Sequence, residues 1–287
     1  MRYCHFFESG ELQLGIVDDC GVLNVAAALS RTGIAVPDSL EALMRAGEKG
    51  QAQMERLLRA DSYRLPVENL RFAPAVPHPG KILCVGLNYA THTDEFDMER
   101  PHEPVLFGKF SNALAAHRED ILVSQYAKKL DYEAELVVII GKTCRDITPS
   151  QAQNAIFGYT IGNDLSERVT QFGSGQWMLG KSWDHFAPIG PWIVTADSLC
   201  IDDVQIRCYV NGEKRQEATT ADMLFSPEEL ISYFSRYITL EAGDILFTGT
   251  PGGVMQGRPP QDQHWLGAGD SVHVEIEGIG VLENVFI

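Results

Sequence analysis

The series of short apolar runs after residue 80 limits most strongly how this chain can fold. The runs are three to seven residues long, most are bounded by turn residues, and no regular alternation of strands and helices accompanies them. Because a doubly wound parallel sheet needs a helix after nearly every strand, the pattern predicts instead an α+β fold with a mixed β-sheet architecture and a few packed helices. The predicted strands cover residues 81–85, 105–107, 134–140, 156–161, 189–194, 204–210, 244–247, 272–276 and 281–286.

Two local signals refine this architecture. Asn211-Gly212 predicts a two-residue hairpin turn, because both residues tolerate positive φ. Ser226-Pro227-Glu228-Glu229 combines a helix N-cap, a proline at the first helical position and a capping-box glutamate, and so predicts a helix to about Tyr237.

Residues 1–72 are predicted to form a small α+β domain that precedes the larger domain. Strands are expected near residues 2–7 and 12–17, followed by two helices, the first beginning at Asp38 or Ser39. The helices are marked by apolar residues at helical spacing: Leu40, Leu43 and Met44 in the first, and Met54, Leu57 and Leu58 in the second. The Pro-rich segment 73–80 is the predicted linker, and residues 81–287 form the second domain.

The composition indicates a chain with a full core and limits the kinds of partner that it can bind. With 45% hydrophobic residues in a chain of 287, the protein can bury a full-sized core. Its 23 basic and 39 acidic residues give a net charge of −16, which disfavours nucleic acid as a partner. The six cysteines show no Cys-x-x-Cys spacing, and neither a signal peptide nor a membrane-spanning run is visible, so we expect reduced thiols in a cytoplasmic protein.

Three carboxylates stand at the ends of two predicted strands in a pattern that suits a metal. Glu133 and Glu135 are two residues apart, so in an extended strand both side chains point to one face. Asp164 ends the next apolar run, which could lie beside the first. Oxygen ligands without cysteine or histidine favour Mg²⁺, Mn²⁺ or Ca²⁺ over Zn²⁺. The alternative is that the two glutamates form the solvated face of an edge strand.

The segment from Gly175 to Ser182 matches the phosphate-loop pattern Gly-x4-Gly-Lys-Ser, but its context is wrong. That loop requires a preceding strand and a following helix, whereas here a polar, helix-like segment precedes and Trp183 to Pro188 follows. We therefore exclude a nucleotide site. Lys181 stands between a glycine and an aromatic run, and is either functional or a solvated surface lysine.

Two further segments carry candidate chemistry. His92 and Glu95 share one face if their segment forms a helical turn, and a carboxylate beside an imidazole is the arrangement that a water-activating base requires. The alternative is a surface histidine with an incidental acidic neighbour. The glycine-rich turn at residues 248–254 offers Thr hydroxyls and N–H groups that could bind a carboxylate, or it is a plain exit from a strand.

In their order along residues 81–287, these segments resemble the fumarylacetoacetate hydrolase family. The resemblance rests on Val-Gly-Leu-Asn-Tyr with His92 and Glu95, Asp131-Tyr-Glu133-Ala-Glu135, Gly-Asn163-Asp164-Leu-Ser166 with Arg168 and Gln171, Gly180-Lys181-Ser182 with Phe186-Ala-Pro-Ile-Gly-Pro, and Thr248-Gly-Thr250-Pro-Gly-Gly-Val. It implies a mixed β-sandwich roll, a homodimer, and a Mg²⁺ or Mn²⁺ site for a β-dicarbonyl or 2-oxo acid.

The resemblance also implies roles for individual residues. Glu133, Glu135 and Asp164 match the metal ligands, and His92 with Glu95 matches the water-activating pair on a mobile lid. The other matching residues are Lys181 as a catalytic cation near the reacting oxygens, and Arg168, Gln171, Thr250 and Tyr89 as substrate-side groups. Relatives differ after Lys109 in a segment that can line the substrate mouth, so His117 and Arg118 leave the substrate open.

The leading hypothesis is a metal-dependent hydrolase that cleaves a C–C bond of a β-diketo acid, such as an acylpyruvate or a diketo sugar acid. The alternatives are an isomerase or tautomerase of the 2-hydroxyhepta-2,4-diene-1,7-dioate type and an oxaloacetate decarboxylase, since a fold does not choose among chemistries. A non-catalytic, metal-dependent oxo-acid binding protein is a third alternative.

Overall fold

A computed structural model describes residues 1–95 and 99–287 of the chain. Its strands are β1 Arg2–Glu8, β2 Glu11–Asp18, β3 Gly21–Asn24, β4 Arg71–Phe72, β5 Ile82–Gly86, β6 Val105–Lys109, β7 Leu114–Ala115, β8 Leu130–Asp131, β9 Ala134–Ile140, β10 Ile156–Asn163, β11 Ser166–Glu167, β12 Ala187–Thr195, β13 Gln205–Val210, β14 Glu213–Thr219, β15 Ile245–Phe247, β16 Ser271–Ile276 and β17 Gly280–Val285. Its helices are α1 Val25–Thr32, α2 Leu40–Ala60, α3 Ala90–Glu95, α4 Pro149–Ala152, α5 Arg168–Phe172, α6 Met178–Lys181 and α7 Pro227–Ser235.

Within the described residues, most strands belong to one large sheet. Its main path runs β3-β2-β1-β12-β10-β9-β15-β5-β6, with β4 paired to β1 and β7 paired to β12. The pairs β15–β5 and β12–β7 are parallel, and the neighbours along the rest of the main path are antiparallel. A smaller antiparallel sheet, β14-β13-β16-β17, and the short pair β11–β8 complete the strands. Strands form most of the regular structure and helices form the rest, which confirms the predicted α+β class.

The central strand of the large sheet, β9, is buried on both faces and is apolar except near its start. All seven residues of β9 are buried, and this strand lies between β10 and β15. A strand covered on both faces needs a continuous apolar run, which Leu136 to Ile140 supplies. Glu135 is buried in the same strand, so the structure rules out a solvated edge-strand face for this residue.

The local signals at residues 211–212 and 226–229 have their predicted outcomes. Asn211 (φ 52°) and Gly212 (φ 79°) form the turn between β13 and β14. Ser226 caps α7 with a hydrogen bond from the Glu229 N–H, and the Glu229 carboxylate accepts one from the Ser226 N–H in return. The helix ends at Ser235, two residues before the expected end.

The N-terminal segment contains more regular structure than its pattern indicates. β3 and α1 were not predicted, although Asn24 caps α1 and Gly33 ends it in a left-handed conformation (φ 67°). The two expected helices are joined as α2 across a break at Gly47 (φ 56°). Because β1 pairs with β12, the N-terminal strands extend the large sheet, and the separation into domains at residues 73–80 stays a prediction.

Within residues 1–95 and 99–287, every helix is too short or too polar to span a lipid bilayer.

Candidate active site

The pairing of β9 with β10 brings the three predicted carboxylates together. Asn163 lies opposite Ala134, and the Asp164 N–H donates to the Glu133 carbonyl oxygen at 2.8 Å, so Asp164 stands beside both glutamates. One carboxylate oxygen from each residue lies within 4.8 Å of those of the other two. All three side chains are buried. The two-residue spacing of the glutamates at the start of β9 and the antiparallel pairing of β9 with β10 therefore build an acidic triad at this end of the two strands.

Two lysines bind this triad. Lys181 Nζ donates to Glu133 Oε2 at 2.7 Å and to Asp164 Oδ2 at 2.8 Å. Lys109 Nζ donates to Asp164 Oδ1 and, at 3.1 Å, to the Leu165 carbonyl oxygen. Both lysines are almost fully buried, so the alternative of a solvated Lys181 is wrong.

Arg168 and Gln171 extend the polar network on the other side of Glu133. The Arg168 guanidinium contacts Glu133 at 2.7 Å and Asp131 at 2.8 Å, and it donates to Gln171 Oε1 at 2.9 Å. Asp131 also accepts hydrogen bonds from the backbone N–H groups of Met255 and Gln256. The arginine is thus fixed between two carboxylates, and it holds Gln171 in place.

Glu135 differs from the other two carboxylates of the triad. Its Oε2 accepts a hydrogen bond from the Gly249 N–H at 2.7 Å, while Oε1 is buried with no hydrogen-bond partner in the described part of the chain. Burial raises the pKa of Glu135 well above its ordinary value, and the nearby Asp164 and Glu133 raise it further. A buried carboxylate oxygen needs a partner, and a divalent cation would supply one.

Burial and neighbouring charges set the pKa values of Glu133 and Lys181. Burial opposes the charge of Glu133, but Lys181 and Arg168 hold the pKa of its carboxyl below the ordinary range. Burial also opposes the charge of Lys181, yet Asp164 and Glu133 raise its pKa. The lysine therefore stays protonated beside the ionised Glu133 carboxylate.

The donor set fits a hard divalent cation. The three side chains offer only oxygen, and each oxygen that contacts Lys181 or Arg168 keeps a further lone pair. Together with the unpartnered Glu135 Oε1, this set suits Mg²⁺, Mn²⁺ or Ca²⁺ and does not suit a metal that prefers nitrogen or sulfur.

His92 and Glu95 lie on α3 as the expected helical turn requires. His92 Nδ1 faces Glu95 Oε2 at 3.5 Å, and Glu95 Oε1 accepts a hydrogen bond from the Gly253 N–H at 2.5 Å. His92 is only 7% exposed, which excludes a surface histidine. Gly253 has φ 106°, and a Cβ there would lie 2.1 Å from the Arg215 carbonyl oxygen, so only glycine fits where this N–H is presented.

Thr250 and Tyr89 differ in the hydrogen bonds of their hydroxyl groups. Thr250 Oγ1 donates to the Ala134 carbonyl oxygen at 3.0 Å and accepts from Gln216 Nε2 at 2.8 Å, so its single proton already has an acceptor. Tyr89 is fully buried, and its hydroxyl has no hydrogen-bond partner among the described residues. The substrate-binding roles of both residues stay predictions.

A cleft of about 100 Å³ reaches several of these groups, and its size suits a small molecule. Its lining comprises Val85, Gly86, Leu87, His92, Phe107, Glu133, Arg168, Gln171, Phe172, Trp177, Lys181 and Thr250. His117 and Arg118, in the segment that could line the substrate mouth, lie outside this lining. His117 packs edge-on against Phe72, and Arg118 pairs with Glu283 at 2.6 Å, because the chain turns there toward β17.

The phosphate-loop match is also resolved by its surroundings. The segment from Gly175 to Ser182 follows α5 and contains α6, so the described element that leads into it is a helix and not a strand, and Lys181 points into the acidic triad. Lys109 and Asp131 are the site residues for which no role was expected. The one available signal for Lys109 was a lysine directly after the apolar run of β6.

Comparison with known proteins shows which family the chain is similar to. Residues 81–287 match the family model "Fumarylacetoacetate (FAA) hydrolase C-terminal". The chain is 36% identical to 2,4-didehydro-3-deoxy-L-rhamnonate hydrolase of Sphingomonas sp. (strain SKA58), over 98% of this chain and 94% of that protein. It is 40% identical to the mitochondrial oxaloacetate tautomerase FAHD2A of Bos taurus, over 83% of this chain and 77% of that protein.

A solved structure extends the comparison to the whole fold. The fumarylacetoacetate hydrolase from Exiguobacterium antarcticum is 35% identical, with a TM-score of 0.83 that covers 100% of this chain and 99% of that one. The family model covers most of the chain, and similar proteins span nearly all of it. The chain therefore belongs to the fumarylacetoacetate hydrolase family.

Proposed function

We propose that this protein is a metal-dependent hydrolase that cleaves a C–C bond of a 2,4-diketo acid. The observation that carries the proposal is that one small cleft is lined by His92, which pairs with Glu95, and by Glu133 of the acidic triad with Lys181. The similarity to a diketo-acid hydrolase over 98% of the chain supports the same reaction class.

Glu133, Glu135 and Asp164 would hold Mg²⁺ or Mn²⁺, with Ca²⁺ as a third oxygen-binding ion. When bound, such an ion supplies Lewis-acid stabilisation of negative charge on the oxygens of a 2-oxo acid. Lys181 supplies a second, fixed positive charge beside the same carboxylates. A single preorganised electrostatic contact of this kind contributes about 3 to 4 kcal/mol to lowering a barrier.

The His92–Glu95 pair would supply the base. Because Nδ1 faces Glu95, we assign Nε2 as the atom that accepts a proton from water. The resulting hydroxide adds to the C4 carbonyl, the C3–C4 bond breaks, and its electron pair stays on C3 of the 2-oxo acid half. Protonation of C3 then releases a carboxylic acid and a 2-oxo acid. General-base action of this type typically contributes about 10² to 10⁴-fold to the rate.

A tautomerase is the second candidate. The 40% identity to an oxaloacetate tautomerase favours it, and the same histidine could move a proton between carbon and oxygen without water attack. Loss of CO₂ in place of the acyl group, with the electron pair of the broken C–C bond passing into the enolate of the 2-oxo acid, would give a decarboxylase.

A substrate panel separates these activities. Acetylpyruvate, a 2,4-diketo-3-deoxy sugar acid and oxaloacetate are incubated with Mg²⁺, and their products are identified by NMR. The hydrolase predicts that a diketo acid yields two acids in equal amounts. Change of oxaloacetate between its keto and enol forms without cleavage of any diketo acid would instead establish the tautomerase, and CO₂ release would establish the decarboxylase. Binding of oxalate with no turnover of any compound would leave a binding protein.

A further inference from the structure

We propose that the outer half of the cleft selects a diketo acid whose acyl group is apolar. This inference rests on the proposed function. The surface in question, called here the aromatic wall, consists of Val85, Gly86, Leu87, Phe107, Phe172 and Trp177. It faces the polar half of the cleft, so a substrate whose 2-oxo acid end reaches the triad would place its acyl end against these residues.

Trp177 is held in a defined position on this wall. Its ring lies edge-on to Phe107, with ring centroids 5.6 Å apart and an interplanar angle of 70°. A Cβ on Gly86 would lie 2.5 Å from Cζ3 of Trp177, so the absence of a side chain at the end of β5 is what makes room for the indole. Such edge-to-face aromatic pairs are more stable than their buried area alone predicts, which favours one fixed geometry.

Phe107 marks the boundary between the two halves of the cleft. Lys181 Nζ lies 5.0 Å from the centroid of its ring, on the side of the triad, while Trp177 packs against the same ring from the wall. Polar and apolar surfaces therefore meet within the length of one side chain. A ligand with a charged end and an apolar end matches this sequence of surfaces.

The charges of the cleft argue against a polar acyl end. Among the described lining residues, the permanent cations are Arg168 and Lys181, and both are bound to the carboxylates at the inner end. A second carboxylate or a row of hydroxyls against the wall would lose water without gaining a charged partner there. Burial of a polar group without a partner opposes binding, whereas burial of each CH₂ group favours it.

Binding of 2-oxo acids tests the wall separately from turnover. Titration calorimetry with Mg²⁺ compares 2-oxohexanoate, which has an apolar tail, with 2-oxoglutarate, which ends in a carboxylate at similar length. We expect 2-oxohexanoate to bind at least about tenfold more tightly, the size of effect that small apolar groups produce in such pockets. Equal binding, or tighter binding of 2-oxoglutarate, would overturn the inference.

Variants assign the effect to Trp177. Trp177→Ala should lower the ratio of the two affinities severalfold, Trp177→Phe should keep most of it, and Leu179→Ala, an exposed residue of α6 outside the cleft, should leave it unchanged. An unchanged ratio in Trp177→Ala contradicts the assignment, and the comparison of the two 2-oxo acids on the wild type still tests the inference if the Ala variant does not fold.

The outcomes also separate this inference from the proposed function. Preference for the apolar tail without hydrolysis of the matching acylpyruvate would refute the hydrolase and keep the wall. Hydrolysis with preference for a carboxylate-ended or polyol tail would refute the wall and keep the hydrolase.

Discussion

Glu135 and Lys109 lie in one buried cluster of charges, but only Glu135 has a local signal in the sequence. The spacing of Glu133 and Glu135 predicted that both would face one ion, and their atoms do converge with Asp164. Spacing could not tell whether this face is solvated, because burial depends on which strands flank β9. Lys109 was missed for the same reason, since its contact with Asp164 joins residues 55 positions apart.

His92 carries the first prediction at the level of a residue. Replacement by glutamine keeps a polar side chain of similar size but removes the base. We expect hydrolysis of the diketo acid to fall by about 10² to 10⁴-fold, while the affinity for Mn²⁺ stays near that of the wild type. His102→Gln, at a side chain that is 92% exposed, is the matched control. A His92 variant that lost Mn²⁺ binding along with activity would show a structural role in the metal site and no role as the base.

At the level of elements, the apolar runs predicted the central strands well and the supports of the site poorly. β9, β10 and β15 lie where continuous apolar stretches place them. Gln216 on β14 shows the limit. Its amide accepts from the Ala134 N–H at 3.0 Å and donates at 2.8 Å to Thr250 and to the Pro251 carbonyl oxygen. It thus ties the strand of the triad to the glycine-rich turn, and no local pattern marks such a long-range bridge.

His117 joins three elements and makes stability depend on pH. It follows β7, packs against Phe72 of β4, and its Nδ1 accepts from the Glu283 N–H of β17. Burial lowers the pKa of His117 to about 4, with Arg118 and His273 in the same direction and Glu283 opposing. Below the unfolded pKa of about 6.5 the unfolded chain binds a proton that the folded chain does not, so this contribution to stability is lost as the pH falls from about 6.5 toward 4.

Chemical unfolding at pH 7 and pH 5 measures this linkage. The wild type should lose up to about 2 kcal/mol more between the two values than His117→Gln, which cannot titrate, and the His102→Gln variant should behave like the wild type. The same loss in wild type and His117→Gln would contradict the assignment to His117.

At the scale of the whole molecule, one sheet connects the two parts of the chain, and one of these parts supplies the site. The β-rich residues 81–287 supply all the groups of the cleft, and the strands of residues 1–72 extend the same sheet through β1 and β12. The homodimer and the cytoplasmic location stay predictions. The name of the bovine relative places that protein in mitochondria.

The central claim is that the buried triad binds a divalent cation, and a titration with Mn²⁺ followed by electron paramagnetic resonance tests it most directly. The variants are Glu135→Gln, which alters the carboxylate with the unpartnered Oε1, and Glu213→Gln, an exposed glutamate on β14. We predict that wild type and Glu213→Gln bind one Mn²⁺ per chain and that Glu135→Gln binds it at least about tenfold more weakly, a change of about 1.4 kcal/mol. Equal Mn²⁺ affinity in wild type and Glu135→Gln would contradict the account.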